Sequence, residues 1–437
     1  MDLINALAGN QGIQSVVALC ESGLFRRGHA SVGRVIAALR PRVGDQKEVR
    51  EAAERRLRRP IAPLLERPAE GEPWLLSVDG TPMARPHAET LSDRGFVHQS
   101  QAVPGQKPVT IGHEYSLAMV LPERGPGEPV WALPLAARRV PTSSTAASVA
   151  SEQIIALMTD PLLPMAGSLT VVVADSHYSQ PAFIGPLVRR PDVVSLTRLR
   201  KSRALFLPPQ AAAAGAGGRP RRYGAKLRPG DAESLDQASE TSELTVVIGG
   251  EDRRAMIYRR NDLILRSEQA GRTVIHVADV VLVTVFGPDG RPCYRHDLTL
   301  ALVGDRRREI PTQAAYAHYR RRFDQEHSHR VLRRNLYLGR FQTPVTEHEE
   351  AWVDLVVLAF QTLFAARHLV HSVRRPWEPK PKAETDEARP VTPGLRPSQV
   401  QRGIARVFAE FGTPARPAKP RGIPPGWKSG SPRRRRD

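Results

Sequence analysis

A run of apolar, mostly β-branched residues, Leu169–Ala174, constrains the fold more than any other part of this sequence. The run is too apolar for a strand with one exposed face, so it predicts a strand that is buried on both faces. An acid, Asp175, follows the strand directly, and Ser176-His177-Tyr178 come next. The chain therefore needs a sheet in which this strand is central and carries an acid at its end.

Strand and helix signals surround this run in a regular order. Short apolar runs separated by Gly and Pro predict three strands before it, and a periodic segment then predicts a helix with Ser143 or Ser144 as its cap. A second helix and a further strand follow the central strand. This order predicts a mixed α/β sheet with buried central strands. The predicted elements are strands Trp74–Val78, Tyr115–Leu121 and Val130–Val140, helices Thr145–Met158 and Ser179–Arg189, and strand Val193–Leu199.

The remaining segments differ in periodicity and composition. Residues 1–72 are predicted to be helical, with Val32, Val35, Ile36 and Leu39 at the spacing of one helix face. We expect residues 73–204 and 305–372 to form the sheet domain in two parts, separated by a β-rich insertion at 205–304 and followed by a tail at 373–437. The insertion has predicted strands Leu244–Ile248, Ala255–Tyr258, Thr273–Phe286 and Tyr294–Val303, and the part after it has predicted helices Thr312–Arg330 and Glu347–Val370.

The charge and the cysteine content limit the function classes. The formal net charge is +19, and residues 371–437 hold 16 Lys and Arg residues against 6 Asp and Glu residues, together with 12 of the 39 prolines. This composition predicts a disordered, extended basic tail with one short helix over Ser398–Phe411, which either contacts nucleic acid or only keeps the protein soluble. There is no apolar run of about 18 residues and no secretory signal pattern. The two cysteines, Cys20 and Cys293, are far apart, which excludes a disulfide scaffold or a structural zinc site. We therefore expect no membrane partner and a polyanion, nucleic acid first, as the ligand.

Two predicted strands of one sheet end in an acid, at Asp79 and at Asp175. Asp79 opens the sequence Asp79-Gly80-Thr81-Pro82, which predicts a turn, and one acid of this kind is most often a turn former or a helix cap. Two acids at the ends of neighbouring strands are different, because each raises the pKa of the other and a divalent cation relieves their repulsion. Together with a third acid on a later helix, they would suit two-metal phosphodiester chemistry.

The third acid is expected after the insertion, where Asp324, Glu326, Glu347, Glu349 and Glu350 are the candidates. Glu326 is favoured by its spacing in Tyr319-x2-Arg322-x3-Glu326-x6-Arg333. These four residues fall within about 60° of one another on a helical wheel, so they can face one groove. A phenol, two guanidinium groups and a carboxylate suit a metal-bound phosphate. The alternative is a solvated charged face, because Arg320, Arg321 and Arg322 are consecutive.

This spacing resembles the Tyr-x2-Arg-x3-Glu-x6-Lys signature of bacterial insertion-sequence transposases of the DDE type. The local sequences are also similar to that group, from about Trp74 into the tail, and the similarity is weak before Leu24. They are Ser77-Val78-Asp79-Gly80-Thr81-Pro82, Ala174-Asp175-Ser176-His177-Tyr178, Tyr319-Arg320-Arg321-Arg322-Phe323-Asp324-Gln325-Glu326-His327 and Lys419-Pro420-Arg421-Gly422. One position departs from the signature, because Arg333 stands where the group has lysine, and the two cations are not equivalent at a phosphate.

The resemblance implies an RNase H-like catalytic fold with a β-rich insertion. It implies that Asp79, Asp175 and Glu326 hold two Mg²⁺ ions, with Mn²⁺ as a substitute. It further implies that Tyr319, Arg322 and Arg333 hold phosphates of the DNA. Such an enzyme cuts at inverted-repeat ends and joins them to target DNA, as a homodimer when two ends are paired, in the bacterial cytoplasm at the nucleoid. On this basis residues 1–72 are candidates for binding DNA ends. A nuclease without strand transfer and a degenerate or domesticated DNA-binding copy remain as alternatives.

Histidines near the acids offer weaker alternatives. His318, His327 and His329 flank Glu326 and suggest zinc, although their spacing does not place them on one helix face as neatly as an HExxH pair. His177 follows Asp175 by two residues and is either a proton shuttle or an exposed turn residue.

Overall fold

The computed structural model describes residues 1–10, 12, 15–25, 27–39, 47–99, 107–125, 127–210, 221–228, 238–371, 373 and 394–410. Within these residues, twelve β-strands form a single sheet that is accompanied by eight α-helices. The strands are β1 Trp74–Ala84, β2 Gly95–His98, β3 Val109–Val120, β4 Leu133–Val140, β5 Thr170–Ala174, β6 Val193–Arg198, β7 Leu205–Phe206, β8 Lys226–Leu227, β9 Glu240–Ile248, β10 Glu251–Gln269, β11 Arg272–Phe286 and β12 Leu298–Val303. The helices are α1 Asp2–Ala8, α2 Ala30–Leu39, α3 Lys47–Arg58, α4 Ala146–Met158, α5 Pro181–Leu187, α6 Thr312–Arg334, α7 Thr346–Ala365 and α8 Pro397–Glu410.

Five strands at the centre of the sheet follow the spatial order β4-β3-β1-β5-β6. β1, β5 and β6 are parallel, whereas β3 is antiparallel to β1 and β4 is antiparallel to β3. Helix α4 connects β4 to β5, and α5 connects β5 to β6. Parallel neighbours need such crossover connections, while β1, β3 and β4 follow one another as an antiparallel meander. The arrangement is an RNase H-like mixed sheet with flanking helices and confirms the predicted fold class.

The apolar run that ends in Asp175 is the central strand, as predicted. All five residues of β5 are buried, with β1 on one side and β6 on the other. Helix α6 packs against β5 and also contacts β1 and β6, and α4 packs against β3 and β4. The sheet and these helices share one continuous core of aliphatic and aromatic side chains.

The predicted turn after Asp79 is wrong. β1 continues through Gly80 and Pro82 to Ala84, because its antiparallel pairing with β3 extends that far. The parallel pairing of β1 with β5 stops at Ser77↔Val173, so the later part of β1 has one paired neighbour among the described strands. Proline lacks an N–H group and is tolerated at such an edge position. The Gly-Pro signal therefore marks an edge segment of a strand and not a turn.

Other element boundaries also shift. The cap of α4 is Thr145, whose hydroxyl accepts a hydrogen bond from the Ser148 N–H group in a capping box, and not Ser143 or Ser144. α5 begins at Pro181, α6 continues to Arg334, and α7 ends at Ala365. β2 was not predicted.

The β-rich insertion extends the same sheet. β12 pairs with β6 antiparallel, and β11, β10 and β7 follow in order. A buried ion pair anchors the insertion, because Arg259 Nη2 lies 2.7 Å from Asp279 Oδ2. Arg259 also donates to the carbonyl oxygen of Ile310, 2.6 Å away, immediately before α6. The insertion therefore supports the start of α6.

The N-terminal helices and α8 pack into the core. α1 and α2 contact α7, and α3 contacts β4, which confirms a helical N-terminal region. α8 lies almost where a short helix was predicted, at Pro397–Glu410, and it contacts α1, α6 and α7. Val400 and Ile404 are fully buried, so this part of the chain is not an extended tail, contrary to the prediction for residues 373–437. Residues 374–393 and 411–437, and with them most of the predicted disordered tail, lie outside the described residues. No helix in the described part is long and apolar enough to cross a bilayer.

Candidate active site

Asp79 and Asp175 lie at the same height, at the carboxyl ends of the paired segments of β1 and β5. β1 and β5 are in register at Ser77↔Val173, and each aspartate follows two residues later. Asp175 comes directly after β5, whereas Asp79 lies within β1, just beyond the last residue that pairs with β5. The carboxyl ends of parallel strands form the usual ligand-binding edge of an α/β sheet.

The strand register brings the two carboxyl groups to the same end of neighbouring strands, and the charge of Asp175 acts on Asp79. Burial raises the pKa of Asp79 from its usual 3.8 to about 6, and the negative charge of Asp175 adds to this rise. The charge of Arg322 and the Gly80 N–H group oppose it, while Glu326 raises it slightly. An ionised Asp79 is therefore held in an unfavourable environment that a bound cation would relieve.

Helix α6 brings the predicted signature face to these aspartates. Tyr319 is 3 % exposed. Burial raises its pKa, the positive charge of Arg322 lowers it, and the negative charge of Asp175 raises it. Arg322 Nη2 lies 2.9 Å from Glu326 Oε1, one turn further along the helix. Tyr319 and Arg322 of this face therefore lie against the sheet, whereas the Glu326 side chain is 49 % exposed.

Arg333 reaches the same strand as Asp79. Its Nη2 donates a hydrogen bond of 2.6 Å to the carbonyl oxygen of Pro82, three residues after Asp79. Burial lowers the pKa of Arg333, and the charge of Asp79 acts in the opposite direction. The guanidinium group is therefore directed to the sheet edge.

Hydrogen bonds to the sheet explain the position of α6. The Gln325 side-chain amide donates to the carbonyl oxygen of Leu117, 3.4 Å away, and Leu117 is the β3 partner of Asp79. One turn further along, the Ala132 N–H group donates to Ser328 Oγ at 3.0 Å. Glu326 is adjacent to Gln325 in sequence, so these contacts fix the height of Glu326 relative to Asp79.

The other candidates for the third acid have structural partners. Asp324 is buried between Arg124 and Arg321, and Glu350 forms an ion pair of 2.9 Å with Arg139. Glu349 is fully buried, where it binds Arg85 and His113 at 2.7 Å each. Glu347 belongs to the first turn of α7. Of the five acids, Glu326 is the one whose charge acts on Asp79.

The three carboxyl groups do not form a preassembled metal cage. Asp79 Oδ1 accepts from the Gly80 N–H group at 2.9 Å, Asp175 Oδ1 accepts from the His177 N–H group at 2.8 Å, and Glu326 is paired with Arg322. Within the described residues, no three His, Cys, Asp or Glu side chains form a group that could hold a metal ion. The donor set still fits a hard divalent cation, because the two aspartates offer carboxylate oxygens and the charge repulsion at Asp79 favours a positive ion.

The histidines near Glu326 do not form the zinc site that their sequence suggested. Burial lowers the pKa of His318 to about 4, and the charge of Arg321 contributes. Burial likewise lowers the pKa of His329 to about 3, and the charges of Arg333 and Arg322 contribute. The positive charges of these arginines disfavour a zinc ion at the histidines. His177 is exposed, as expected of a turn residue.

Two residues near the aspartates were not found from the sequence. Tyr178 is buried, and its hydroxyl group has no hydrogen-bond partner among the described residues. Burial and the charges of Asp79, Asp175 and Glu114 raise the pKa of Tyr178. Glu114 lies on β3, and its Oε1 lies 2.5 Å from where a Cβ atom on Gly80 would be. No local pattern reveals this contact, because it arises from the register of β3 against β1.

A family model described as DDE superfamily endonuclease matches residues 3–252, more than half of the chain. The chain belongs to the DDE superfamily endonuclease family. This confirms the resemblance to DDE transposases at the level of the family, and the match extends closer to the N-terminus than the sequence similarity suggested. The matched segment of this DDE endonuclease contains Asp79 and Asp175 and ends before α6. No curated protein matches the chain. Membership of the family implies a DNA substrate and divalent metal ions.

Proposed function

We propose that this DDE endonuclease is a transposase that cuts DNA at the ends of an insertion sequence and joins those ends to target DNA. This proposal rests on one observation: Asp79 and Asp175 lie at the same height on neighbouring strands, and Arg322 and Glu326 of α6 are close enough for their charges to act on Asp79. The two aspartates lie where a phosphodiester can approach the open edge of the sheet. The same residues would serve cutting and joining, since both reactions replace one oxygen on phosphorus by another.

Asp79, Asp175 and Glu326 would hold divalent ions, Mg²⁺ or Mn²⁺, in a two-ion site. Such ions lower the pKa of an attacking water or 3′ hydroxyl group and neutralise charge on the leaving oxygen. The residues supply the hard oxygen donors that these ions prefer. The buried position of Asp79 keeps its carboxylate poorly solvated, which strengthens its attraction for a cation.

Tyr319, Arg322 and Arg333 would bind phosphate oxygens of the DNA. Arg322 pairs with Glu326 through Nη2, and its Nε is buried without a hydrogen-bond partner among the described residues. A guanidinium group carries five N–H donors and can give a phosphate two parallel hydrogen bonds, so Arg322 keeps donors beyond the one that it gives to Glu326. Arg333 is held by Pro82 beside Asp79, so it would contact the DNA close to the cleaved bond.

The net charge of +19 supports binding to DNA outside the site. We propose that residues 1–72 and the basic C-terminal segment contact the element ends or their flanks. We further propose that two copies of the chain assemble when two inverted-repeat ends are paired, in the bacterial cytoplasm at the nucleoid.

A supercoiled plasmid that carries the DNA segments flanking the gene provides the test. With Mg²⁺, the wild-type protein should nick at the element ends and then give strand-transfer products. Asp79→Asn, Asp175→Asn and Glu326→Gln should each abolish both reactions and leave the gel shift of end DNA largely intact. Glu347→Gln is the matched control, because Glu347 lies on α7 and should leave both reactions unchanged.

The other outcomes distinguish the alternatives. Nicking without joined products would identify a nuclease without strand transfer. A gel shift without nicking by the wild-type protein would identify a DNA-binding copy. Near wild-type cleavage by any one of the three variants would remove that residue from the site.

A further inference from the structure

β2 and β3 continue beyond the central sheet as a two-stranded ribbon. The pairing of β1 with β3 ends at Ala84↔Gly112, and from there Val109–Ile111 of β3 pair with Phe96–His98 of β2. Among the described strands, β1 reaches this segment only at Gly112, next to which the Arg85 N–H group donates to the Ile111 carbonyl oxygen at 2.8 Å, and no third strand pairs with Val109 or Thr110. We call residues 95–98 and 109–112 the ribbon arm.

One face of the ribbon arm is apolar and open. Phe96 and Ile111 are register partners, so their side chains lie on the same face, and Val109 lies on it two residues along. Phe96 is 84 % exposed, Val109 46 % and Ile111 41 %. Val97, on the other face, is buried. An apolar face on a projecting ribbon indicates a surface that another molecule covers.

The charges around this face favour a polyanion. The sequence from Arg94 to Gly112 contains two cations, Arg94 and Lys107, and neither Asp nor Glu. The nearest acid, Asp93, is paired with Arg139. Glu114 follows Gly112 by two residues on β3, so Arg94 and Lys107 leave an excess of positive charge at the arm, which favours a phosphate backbone. A second copy of a chain with a net charge of +19 would meet the repulsion of its own charge.

The arm also lies within reach of a DNA duplex bound at the candidate active site. Asp79 is level with Leu117 of β3, and Ile111 comes six residues further along that strand. At about 3.3 Å per residue, this separates the arm from Asp79 by roughly 20 Å. The rise of a duplex is about 3.4 Å per base pair, so the same distance spans roughly six base pairs.

A two-stranded ribbon has a suitable shape for this contact. β-ribbons of DNA-binding proteins enter either groove of DNA, and apolar side chains insert between base steps from the minor groove. We propose that the ribbon arm is a DNA contact in which Phe96, supported by Val109 and Ile111, binds the bases of the end duplex about six base pairs from the cleaved phosphate. This inference rests on the proposed function, because the distance is counted from a phosphate held at Asp79.

The first experiment measures binding of a fluorescent duplex that carries the gene-flanking end sequence. Phe96→Ala should raise the Kd by roughly 5- to 160-fold, the range for losing one stacked base contact. The slope of log Kd against log salt should stay unchanged, because no charge is removed. Lys107→Gln should instead lower that slope by about one. Leu162→Ala is the matched control, since Leu162 is 49 % exposed in the loop before β5, at the end of that strand opposite to Asp175.

The second experiment locates the contact. The photoreactive analogue p-benzoylphenylalanine at position 96 should crosslink to DNA roughly six nucleotides from the scissile phosphate. The same analogue at position 162 should not crosslink. Unchanged affinity for Phe96→Ala, or a crosslink from position 96 to a second protein chain, would overturn the inference and identify the arm as unused or as a contact between copies.

The outcomes separate this inference from the proposed function. If the Phe96 variant binds and cleaves like the wild type while Asp79→Asn is inactive, the arm is not a DNA contact and the transposase proposal stands. If the wild-type protein never cleaves but position 96 crosslinks to the duplex, the arm binds DNA and the catalytic proposal fails.

Discussion

The Arg333 guanidinium group donates a 2.6 Å hydrogen bond to the carbonyl oxygen of Pro82, three residues beyond Asp79 on the same strand. This contact links the last residue of the α6 signature face to the strand that carries the first acid. The signature that this sequence resembles has lysine at the position of Arg333. The contact shows that the arginine found here faces β1.

Removal of the Arg333 charge should therefore slow DNA cleavage. Arg333→Ala should raise the barrier by about 1.5–3 kcal/mol, the range for one hydrogen bond to a charged group. Arg333→Lys should retain or raise activity, because an ammonium group can approach a single phosphate oxygen. Single-turnover cleavage of end DNA measures both, and Arg334→Ala is the control, because Arg334 is exposed like Arg333 but lies about 100° further around the helix. If both Arg333 variants cleave at the wild-type rate, Arg333 does not belong to the site.

Neutralising Asp79 should stabilise the metal-free protein. The folded-state pKa of Asp79 is raised from 3.8 to about 6, so the folded protein retains a proton that the unfolded chain releases, and folding becomes less favourable as pH rises through that window. Asp79→Asn removes this penalty, which we place at about 1–2 kcal/mol after allowing for solvent screening. Urea unfolding in EDTA should show the full gain at pH 7.5 and none at pH 3.5.

Mg²⁺ should reverse this difference. It should stabilise the wild-type protein, because binding to the folded state alone shifts the unfolding equilibrium, and it should leave Asp79→Asn unaffected. Equal unfolding free energies for the two proteins at all pH values would contradict the crowded environment of Asp79.

The elements that a sequence predicts well here are those with strong local signals. The run Leu169–Ala174 predicted a buried central strand, and helical periodicity placed Glu326 and Arg333 on one face. Local signals failed where pairing overrides them. The Gly80-Thr81-Pro82 segment has turn composition, but β3 holds it as a strand as far as Ala84.

Contacts between strands and helices cannot be predicted from one sequence. Glu114 reaches Gly80, and Phe96 pairs with Ile111, through the register of β3, which no periodicity specifies. The different environments of Asp324 and Glu326, two residues apart on α6, follow from which side of the helix meets Arg124. The composition after residue 373 predicted a short helix but not its packing, because the burial of Val400 and Ile404 of α8 depends on contacts with α1, α6 and α7.

The buried acid Glu349 should be a major source of stability. It binds Arg85 and His113 at 2.7 Å each and accepts from the Tyr115 hydroxyl at 3.1 Å, and Arg85 also donates to the carbonyl oxygen of Phe341 between α6 and α7. Glu349→Gln leaves Arg85 buried without its counter-charge, which should cost about 3–5 kcal/mol in the free energy of unfolding. Urea unfolding measures the loss.

The pH dependence gives an independent check on Glu349. Hydrogen bonds from His113 and the charge of Arg85 lower the pKa of Glu349 below its usual 4.5 despite burial. Its contribution is therefore complete above that value and is lost as pH falls through the lowered folded-state pKa. The stability gap between wild type and Glu349→Gln should narrow in acid. Glu347→Gln, two residues away on α7, should stay within about 0.5 kcal/mol at every pH.

The basic segment after α8 should contribute to DNA affinity without supporting the fold. Residues 411–437 hold eight Lys and Arg residues and one acid, Asp437. Truncation after Glu410 should weaken binding to end DNA and to random DNA alike and should flatten the plot of log affinity against log salt, by about 0.9 for each lost phosphate contact. Thermal unfolding should be unchanged, whereas truncation after Val373 should also destabilise the protein, because it removes the buried Val400 and Ile404 of α8. An unchanged salt slope after the shorter truncation would show that the segment only keeps the protein soluble.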